Sequence, residues 1–109
     1  MKDPREMLNE FMGGLEEVSR TNEESVGAAY APGKLDVKFK ELISIGIAVY
    51  NRCEYCIVFH AYKALEAGAT REEIMEASMV SVAFGGGPTI AYSVTLLKKS
   101  IDEFENDFE

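Results

Sequence analysis

Apolar residues recur at steps of three and four along the first part of the chain, and this spacing predicts helices. An amphipathic helix is predicted over residues 4–19, beginning at Pro4, a residue that the first turn of a helix tolerates. Its apolar face is formed by Leu8, Phe11, Met12, Leu15 and Val18. Asn22, followed by two glutamates, predicts a second, short helix through about Tyr30. The next five residues, which read APGKL, predict a turn.

The middle of the chain carries a pattern that fits two kinds of secondary structure. Asp36 can cap a helix that runs from Val37 to about Tyr50. From Ile43 onward, however, apolar residues alternate with small or polar ones, as they do in a strand. A helix that is buried on most sides explains the same alternation. Because a cap precedes the segment and no turn follows it, the helix is favoured.

Two further helices are predicted from residues that start and stop helices. Residues 51–52 can interrupt the chain before a helix from Cys53 to Ala67, and Gly68 can serve as its C-cap. Residues 70–73, which read TREE, form a capping box. The helix that this box opens is expected to reach about Phe84.

Three glycines, residues 85–87, break the chain before a last helix, and Pro88 suits the first turn of that helix. No lysine follows the glycines, so their match to a phosphate-binding loop is poor. Apolar residues of the last helix are spaced alternately by four and three: Ile90, Val94, Leu97, Ile101, Phe104 and Phe108. Such a heptad stripe can pack against another helix, of this chain or of a neighbour. We therefore predict an all-α fold, a compact bundle of about five to six helices in one domain over residues 1–109.

Composition narrows the class of protein further. Apolar residues make up 47% of the 109 residues, enough for one domain with a real core. The 19 acidic and 11 basic residues give a formal net charge of −8, which repels phosphate backbones, so we expect no nucleic-acid partner. The first ten residues lack the apolar segment of a signal peptide, and the apolar run within 42–50 is too short to cross a bilayer. A cytoplasmic location without a membrane partner is the expectation.

Candidate chemistry is concentrated in residues 51–60, which read NRCEYCIVFH. On a helix, Cys53, Cys56 and His60 share one face. A Cys-x-x-Cys pair at a helix start can close a disulfide with little movement of the backbone. The unpaired N–H groups and the positive dipole end there lower the pKa of a thiol, and a nearby histidine can accept the thiol proton and return it. In a cytoplasmic chain such a pair favours thiol redox chemistry over a structural role.

Other uses of these residues stay open. Zinc commonly has four ligands, of which two thiolates and an imidazole supply three, and Glu41 or Glu54 can complete the set. Structural zinc normally uses a second Cys/His pair, which this chain lacks. Catalytic zinc needs only three protein ligands and stays an alternative. The prediction is that the chain holds no metal and no cofactor. A structural disulfide would constrain the unfolded chain little because its loop is short. The cysteines and the histidine could also be inert core residues.

Residues 40–77 resemble the core of the alkylhydroperoxidase D-like branch of the carboxymuconolactone decarboxylase family. The shared elements are the glutamate of KELI, the spacing Cys-x-x-Cys-x-x-x-His, and the later ALEAGAT. The resemblance is close over about a third of the chain. It implies an all-helical fold that assembles as a homotrimer or homohexamer. It also implies a peroxidase or disulfide-reductase cycle that reduces hydroperoxides and is recharged by an external dithiol or a protein thiol.

The resemblance also assigns roles. By position, Cys56 resembles the thiol that attacks peroxide and Cys53 the resolving, partner-facing thiol, while Glu41 and His60 resemble a proton relay. The residues alone would favour Cys53 as the more reactive thiol, because it lies nearer the helix start, so the order stays open.

The chain departs from the family pattern in two respects. Some relatives carry a second histidine where Tyr55 stands, and the best-known peroxidase of the family contains two copies of the helical unit. A single copy would need to oligomerise to rebuild the surroundings of its site. The family's lactone decarboxylases do not use this cysteine pair, so its presence argues against decarboxylation. The alternative functions are a zinc-binding or structural oligomeric module and, as the family name suggests, a lactone decarboxylase.

Overall fold

Every regular element in the described part of the chain, residues 2–109, is helical. The structure is a computed structural model, and of residues 18–26 it describes the helical backbone alone. In chain order the elements are α1 (Pro4–Tyr30), α2 (Val37–Asn51), α3 (Glu54–Glu66), α4 (Arg71–Gly85), α5 (Gly87–Tyr92), a π-helical turn (Ser93–Leu97), α6 (Lys98–Phe104) and a 3-10 turn (Glu105–Phe108). The prediction of an all-α fold is confirmed.

Helix α1 joins the two helices that the sequence predicts over residues 4–19 and from Asn22 to Tyr30. Asp3 caps its start by accepting hydrogen bonds from the backbone N–H groups of Arg5 and Glu6. The predicted boundary near Asn22 is wrong, because the intervening residues contain no proline and unfavourable helix propensities cost only a few tenths of a kcal/mol each, about 1 for glycine. The predicted apolar position Val18 lies outside the described side chains.

The segment with two possible structures is the helix α2. Asp36 caps it through a 2.9 Å hydrogen bond from the N–H of Phe39. Ile45 and Val49 are fully buried in the core, whereas Ile43 and Ile47 on the opposite face are about half exposed. The strand-like alternation therefore arises from a helix with apolar residues on both its inner and its outer face.

Helices α2, α3 and α4 end and begin where the sequence predicts, within one or two residues. Arg52 ends α2 in the left-handed conformation (φ 55°, ψ 36°), and Gly68 follows α3 with φ 93°. The capping box of Thr70 and Glu73 is formed at the start of α4. Gly86 (φ 63°, ψ −137°) adopts a conformation open to glycine alone, which separates α4 from α5.

The π-helical turn divides the heptad stripe predicted from Ile90 to Phe108 into two parts. Leu97, Ile101 and Phe104 are fully buried, as the heptad pattern predicts, but Ile90 and Val94 are about half exposed. A π-helical turn adds a residue to the helix and rotates the two flanking segments relative to each other. In α5, before this turn, the buried residue is the polar Thr89. Ser93, the first residue of the turn, is also buried, and its hydroxyl donates to the backbone carbonyl of Thr89.

The core is organised around α3, which packs against α1, α2 and α6, while α2 also packs against α4. Its fully buried members include Ile57, Val58 and Ala61 of α3. Arg5 ties α1 to the C-terminal end through ion pairs with Glu103 and Asp107. Within the described residues no helix has both the length and the hydropathy needed to cross a membrane.

Candidate functional site

The two cysteines lie at the start of α3. Cys53 is the N-cap residue, and its Sγ accepts a 3.3 Å hydrogen bond from the backbone N–H of Cys56. The two sulfurs form a disulfide, with the Cα atoms 5.2 Å apart. Both residues are half-buried, and Cys56 packs against the hydrophobic core. The pair therefore lies at the start of a helix that contributes to the core, and both cysteines remain partly exposed.

Glu41 and His60 form a hydrogen-bonded pair between α2 and α3. Nδ1 of His60 lies 2.7 Å from Oε1 of Glu41. Glu41 is only 3% exposed and the side chain of His60 is 17% exposed. An ionised carboxylate only accepts hydrogen bonds, so with Glu41 in that state the proton of this contact lies on Nδ1, and Nε2 is the nitrogen that can exchange protons.

Helical geometry relates this pair to the thiols. His60 lies four residues after Cys56 on α3, so the two side chains share a face. Of the four residues that the sequence analysis named, α3 and its N-cap carry three, and α2 supplies Glu41 from a neighbouring helix. The imidazole of His60, which is hydrogen-bonded to a buried carboxylate, thus lies one helical turn after Cys56 of the thiol pair.

Aromatic rings lie against the imidazole of His60, and no sequence motif points to them. The ring of Tyr30, the last residue of α1, stacks on the imidazole of His60, with centroids 5.9 Å apart and an interplanar angle of 22°. Phe59 meets the imidazole edge-on at 5.2 Å. Phe11 of α1 in turn packs against Phe59 at 4.8 Å. The contacts of Tyr30 and Phe11 join α1 to α3, so no local spacing could reveal them.

Tyr55, between the two cysteines, is tied to α1. Its hydroxyl donates to Oε2 of Glu10 at 3.0 Å, and Nζ of Lys2 donates to Glu10 at 2.9 Å and to the Tyr55 oxygen at 3.3 Å. The hydrogen bond from Lys2, followed by that from Tyr55, holds the pKa of Glu10 below its usual value. Tyr55 therefore connects the first turn of α3, between the two cysteines, to the N-terminal helix α1.

The ligand set expected for zinc is not assembled. Across residues 2–109, no group of three or more His, Cys, Asp or Glu side chains that could hold a metal ion is found among the described side chains. Glu41, one of the two candidate fourth ligands, bonds to His60, and Glu54, the other, is exposed.

An apolar groove lies on the outer face of α2 and α4. It has a volume of about 600 Å³, and its walls include Phe39, Ile43, Ile47, Val80 and Phe84. Phe84 is 79% exposed beside it. Glu41 lies on the opposite, buried face of α2, so this groove is a surface distinct from the thiol site.

Comparison with known proteins identifies relatives of the whole fold. The model of the carboxymuconolactone decarboxylase family matches residues 16–99. Among curated proteins, an uncharacterized protein of Cupriavidus necator is 39% identical over 66 residues, which are 61% of this chain and 58% of that protein. The uncharacterized protein 4 in the cox locus of Paracoccus denitrificans is 38% identical over 64 residues, 59% of this chain and 58% of that protein. The aligned part of the chain thus spans somewhat more than half the length of these curated relatives.

Two solved structures are similar over nearly the full chain. A carboxymuconolactone decarboxylase family protein of Legionella pneumophila, in its apo form, is 31% identical with a TM-score of 0.82, and the match covers 94% of this chain and 96% of that one. A protein of the same family from Thermotoga maritima, for which an involvement in the antioxidative response has been suggested, is 29% identical with a TM-score of 0.75. That match covers 95% of this chain and 97% of the Thermotoga chain.

Proposed function

Because the chain belongs to the carboxymuconolactone decarboxylase family, which includes enzymes, we propose that it is a thiol-dependent peroxidase. It reduces hydroperoxides through Cys53 and Cys56, in the manner of a peroxiredoxin, and contributes to antioxidant defence. The observation that carries this proposal is a disulfide at the start of a helix whose next turn bears a histidine bonded to a buried glutamate. The suggested antioxidative role of the similar Thermotoga protein supports the same class of function.

In the first half of the reaction, a cysteine thiolate attacks one oxygen of the hydroperoxide. The S–O bond forms as the O–O bond breaks, and the cysteine becomes a sulfenic acid. His60 takes the proton from the thiol and delivers it to the departing alkoxide, which leaves as an alcohol. Glu41 stabilises the imidazolium that exists between these two proton transfers.

In the second half, the other thiol attacks the sulfenic sulfur. The S–S bond forms, the S–O bond breaks, and water leaves. The two thiols have then supplied the two electrons that reduce the peroxide. An external dithiol or a protein thiol regenerates them by exchange through a mixed disulfide. The disulfide between Cys53 and Cys56 is the oxidised end state of this cycle.

The surroundings of the two sulfurs differ, and they support an order of attack. We assign peroxide attack to Cys56, because His60 lies one helical turn after it on the same face. Cys53 is the N-cap residue, where the N–H of Cys56 can stabilise a thiolate, so it suits the resolving and partner-facing role.

Peroxide consumption in the presence of a dithiol reductant tests the proposal. Wild type is expected to consume peroxide catalytically, and Cys56→Ser is expected to fall to the rate without protein. When the dithiol is left out, Cys53→Ser is expected to react once and to retain a sulfenic acid, which a cyclic 1,3-diketone traps and mass spectrometry detects at Cys56. Unchanged consumption by Cys56→Ser would overturn the proposed function.

We also propose that copies of this chain associate through the apolar face of α2 and α4, as the homotrimer or homohexamer that the family resemblance implies. The residues named for the groove are all uncharged, whereas the chain as a whole carries a formal charge of −8. Two copies therefore meet with least repulsion at this face. Phe84 forms part of the groove wall and protrudes into solvent. Its aromatic ring in one copy can therefore enter the groove of another copy.

The proposed cycle also sets the expected partners and location. The substrate is a hydroperoxide and the reductant is a dithiol, which is available in the cytoplasm. The acidic surface disfavours binding to nucleic acids or to anionic membranes, and neither is part of the proposed function.

A further inference from the structure

We propose that Tyr30 is a positioning residue for His60, which keeps the imidazole in the orientation that bonds to Glu41. The catalytic consequence of this inference rests on the proposed peroxidase function, whereas the positioning itself does not. The end of α1, which carries Tyr30, is attached to the same stretch of α2 that carries Glu41.

The stacked geometry limits the movement of the histidine ring. The Tyr30 and His60 rings are nearly parallel, with an interplanar angle of 22° and centroids 5.9 Å apart. Phe59 lies edge-on to the imidazole at 5.2 Å. A rotation of the imidazole about its bond to Cβ would drive an edge of the ring toward the Tyr30 face. The stacking thus favours the rotamer in which Nδ1 meets Glu41.

A hydrogen bond fixes the tyrosine ring itself. The hydroxyl oxygens of Tyr30 and Ser44 are within hydrogen-bonding distance, and Ser44 Oγ also donates to the backbone carbonyl of Lys40 at 2.9 Å. Because a serine hydroxyl has one hydrogen, Ser44 accepts the bond and Tyr30 donates it. Ser44 lies three residues after Glu41 on α2, and both are buried on the same face.

A second attachment holds the end of α1 on α2. Nζ of Lys40 donates to the backbone carbonyls of Ala29 at 2.9 Å and of Ala31 at 2.7 Å. Carbonyl groups at the C-terminal end of a helix lack partners within the helix, and a cation there is favourable. Lys40 therefore secures the residues on both sides of Tyr30, while Ser44 secures its hydroxyl.

One turn of α2 thus makes three contacts that position the histidine and its surroundings. Lys40 holds the end of α1, Glu41 holds Nδ1 of the imidazole, and Ser44 holds the ring that stacks on it. If the stacking is lost, the imidazole can leave Glu41 and the proton can move from Nδ1 to Nε2. An imidazole protonated on Nε2 cannot accept the thiol proton at that nitrogen.

The single histidine of the chain allows a direct test, because the imidazole gives one set of NMR signals. Long-range ¹H–¹⁵N spectra of the disulfide form would be recorded at a pH where the imidazole is neutral. Wild type is expected to show the tautomer protonated on Nδ1. In Tyr30→Leu we expect a mixture of tautomers and a downfield shift of the imidazole ring protons, because the ring current of the tyrosine is removed.

Two milder variants test the anchor separately from the ring. Tyr30→Phe and Ser44→Ala each remove the hydrogen bond and keep an aromatic ring over the imidazole. Each is expected to show a small fraction of the second tautomer, and the double variant no more than either single one. Tyr62→Leu is the matched control, since Tyr62 lies two residues from His60 but packs against Phe104, and its His60 signals should equal those of wild type.

Activity provides a second readout. Tyr30→Leu is expected to lower peroxide consumption roughly tenfold and to change its pH profile, and Tyr30→Phe to stay within about threefold of wild type. Wild-type tautomer and ring shifts in Tyr30→Leu would overturn the positioning role. If that variant does not fold, the absence of a second tautomer in both Tyr30→Phe and Ser44→Ala overturns it. A wild type that consumes no peroxide would refute the proposed function, while the NMR result still decides the role of Tyr30.

Discussion

Nδ1 of His60 lies 2.7 Å from Oε1 of Glu41, although the two residues are 19 positions apart and belong to different helices. The contact arises because α2 and α3 are separated by only Arg52 and Cys53 and pack against each other as a helical hairpin. A buried carboxylate and an imidazole are thereby held one helical turn after Cys56.

Removal of the charge of Glu41 is expected to lower peroxide turnover without loss of the fold. Glu41→Gln keeps an oxygen that can accept the Nδ1–H of His60, but it no longer stabilises an imidazolium. We expect turnover to fall by roughly a hundredfold. Glu54→Gln is the matched control, because Glu54 is exposed in the first turn of α3 and lies between the cysteines. An equal fall in Glu54→Gln would show that overall negative charge matters and would contradict a specific relay.

Most helix boundaries could be predicted because they depend on local chemistry. Asp36 and the capping box of Thr70 and Glu73 bond to backbone groups within three residues, and Gly68 supplies the positive φ after α3. The π-helical turn could not be predicted, because it depends on which face of the helix meets the core. The exposed Ile90 shows this, since hydrophobicity alone would bury it.

The site divides along the same line between local and non-local contacts. Helical spacing alone places Cys53, Cys56 and His60 on one face. The contact of Glu41 with His60 joins two helices, so helical spacing does not predict it. Only the family resemblance indicates a role for Glu41 beside His60. Tyr30 belongs to no motif, and only the contacts of the end of α1 with α2 and α3 bring it to the histidine.

Replacement of Arg52 by glycine is expected to stabilise the hairpin between α2 and α3. Arg52 has φ 55° and ψ 36°, a left-handed conformation that disfavours a side chain. We expect Arg52→Gly to raise the free energy of unfolding by up to about 1 kcal/mol, measured from urea unfolding at fixed protein concentration. Asn51→Gly is the matched control, because Asn51 is the last helical residue of α2 and should lose stability. A loss in both variants would contradict strain at Arg52.

Alanine substitutions at two glycines are expected to have opposite effects. A Cβ at Gly85 would overlap Oγ1 of Thr89 and lie 3.1 Å from Cδ1 of Tyr50, and the buried Thr89 has no room to move aside. We expect Gly85→Ala to lower the free energy of unfolding by about 1–3 kcal/mol. A Cβ at Gly13 of α1 meets no atom within 4 Å, so Gly13→Ala should raise it by up to about 1 kcal/mol. Equal signs in urea unfolding would contradict the packing at Gly85.

The Glu73 carboxylate is expected to make stability depend on pH in the acid range. It accepts the N–H of Thr70 at 2.9 Å and an N–H of Lys38 at 2.9 Å, and these bonds, the backbone one first, hold its pKa below the usual 4.5. A lowered pKa in the folded state contributes stability that is present above pH 4.5 and is lost as the pH falls through the folded value.

A glutamine at position 73 should reveal this contribution, because its side-chain oxygen can still complete the capping box. We expect the Tm of Glu73→Gln to be lower than that of wild type at pH 7 and the difference to shrink as the pH falls below 4.5. Glu72→Gln, one residue earlier in the same turn and outside the capping box, is the control. A Tm difference that stays constant from pH 7 to pH 3 would rule out the titration of Glu73.

A charge on the apolar face of α2 and α4 is expected to dissociate the proposed oligomer. Light scattering after gel filtration should give wild type a mass of three or six times the 12.1 kDa of one chain. Ile47 is 54% exposed in the groove, and Ile47→Glu would place a carboxylate where the neighbouring copy buries it. An unpaired buried charge costs several kcal/mol, and every 1.4 kcal/mol is a factor of about ten in the dissociation constant. We therefore expect a monomer at micromolar concentration.

The matched control is Met12→Glu on α1, because Met12 is 42% exposed and lies outside the groove. Its mass should equal that of wild type, since the same charge then stays in solvent. A monomeric wild type, or an Ile47→Glu variant that keeps the wild-type mass, would contradict association through this face. If dissociation of Ile47→Glu also lowers peroxide turnover while Cys53 and Cys56 still form their disulfide, the neighbouring copy supports the site that a single chain carries.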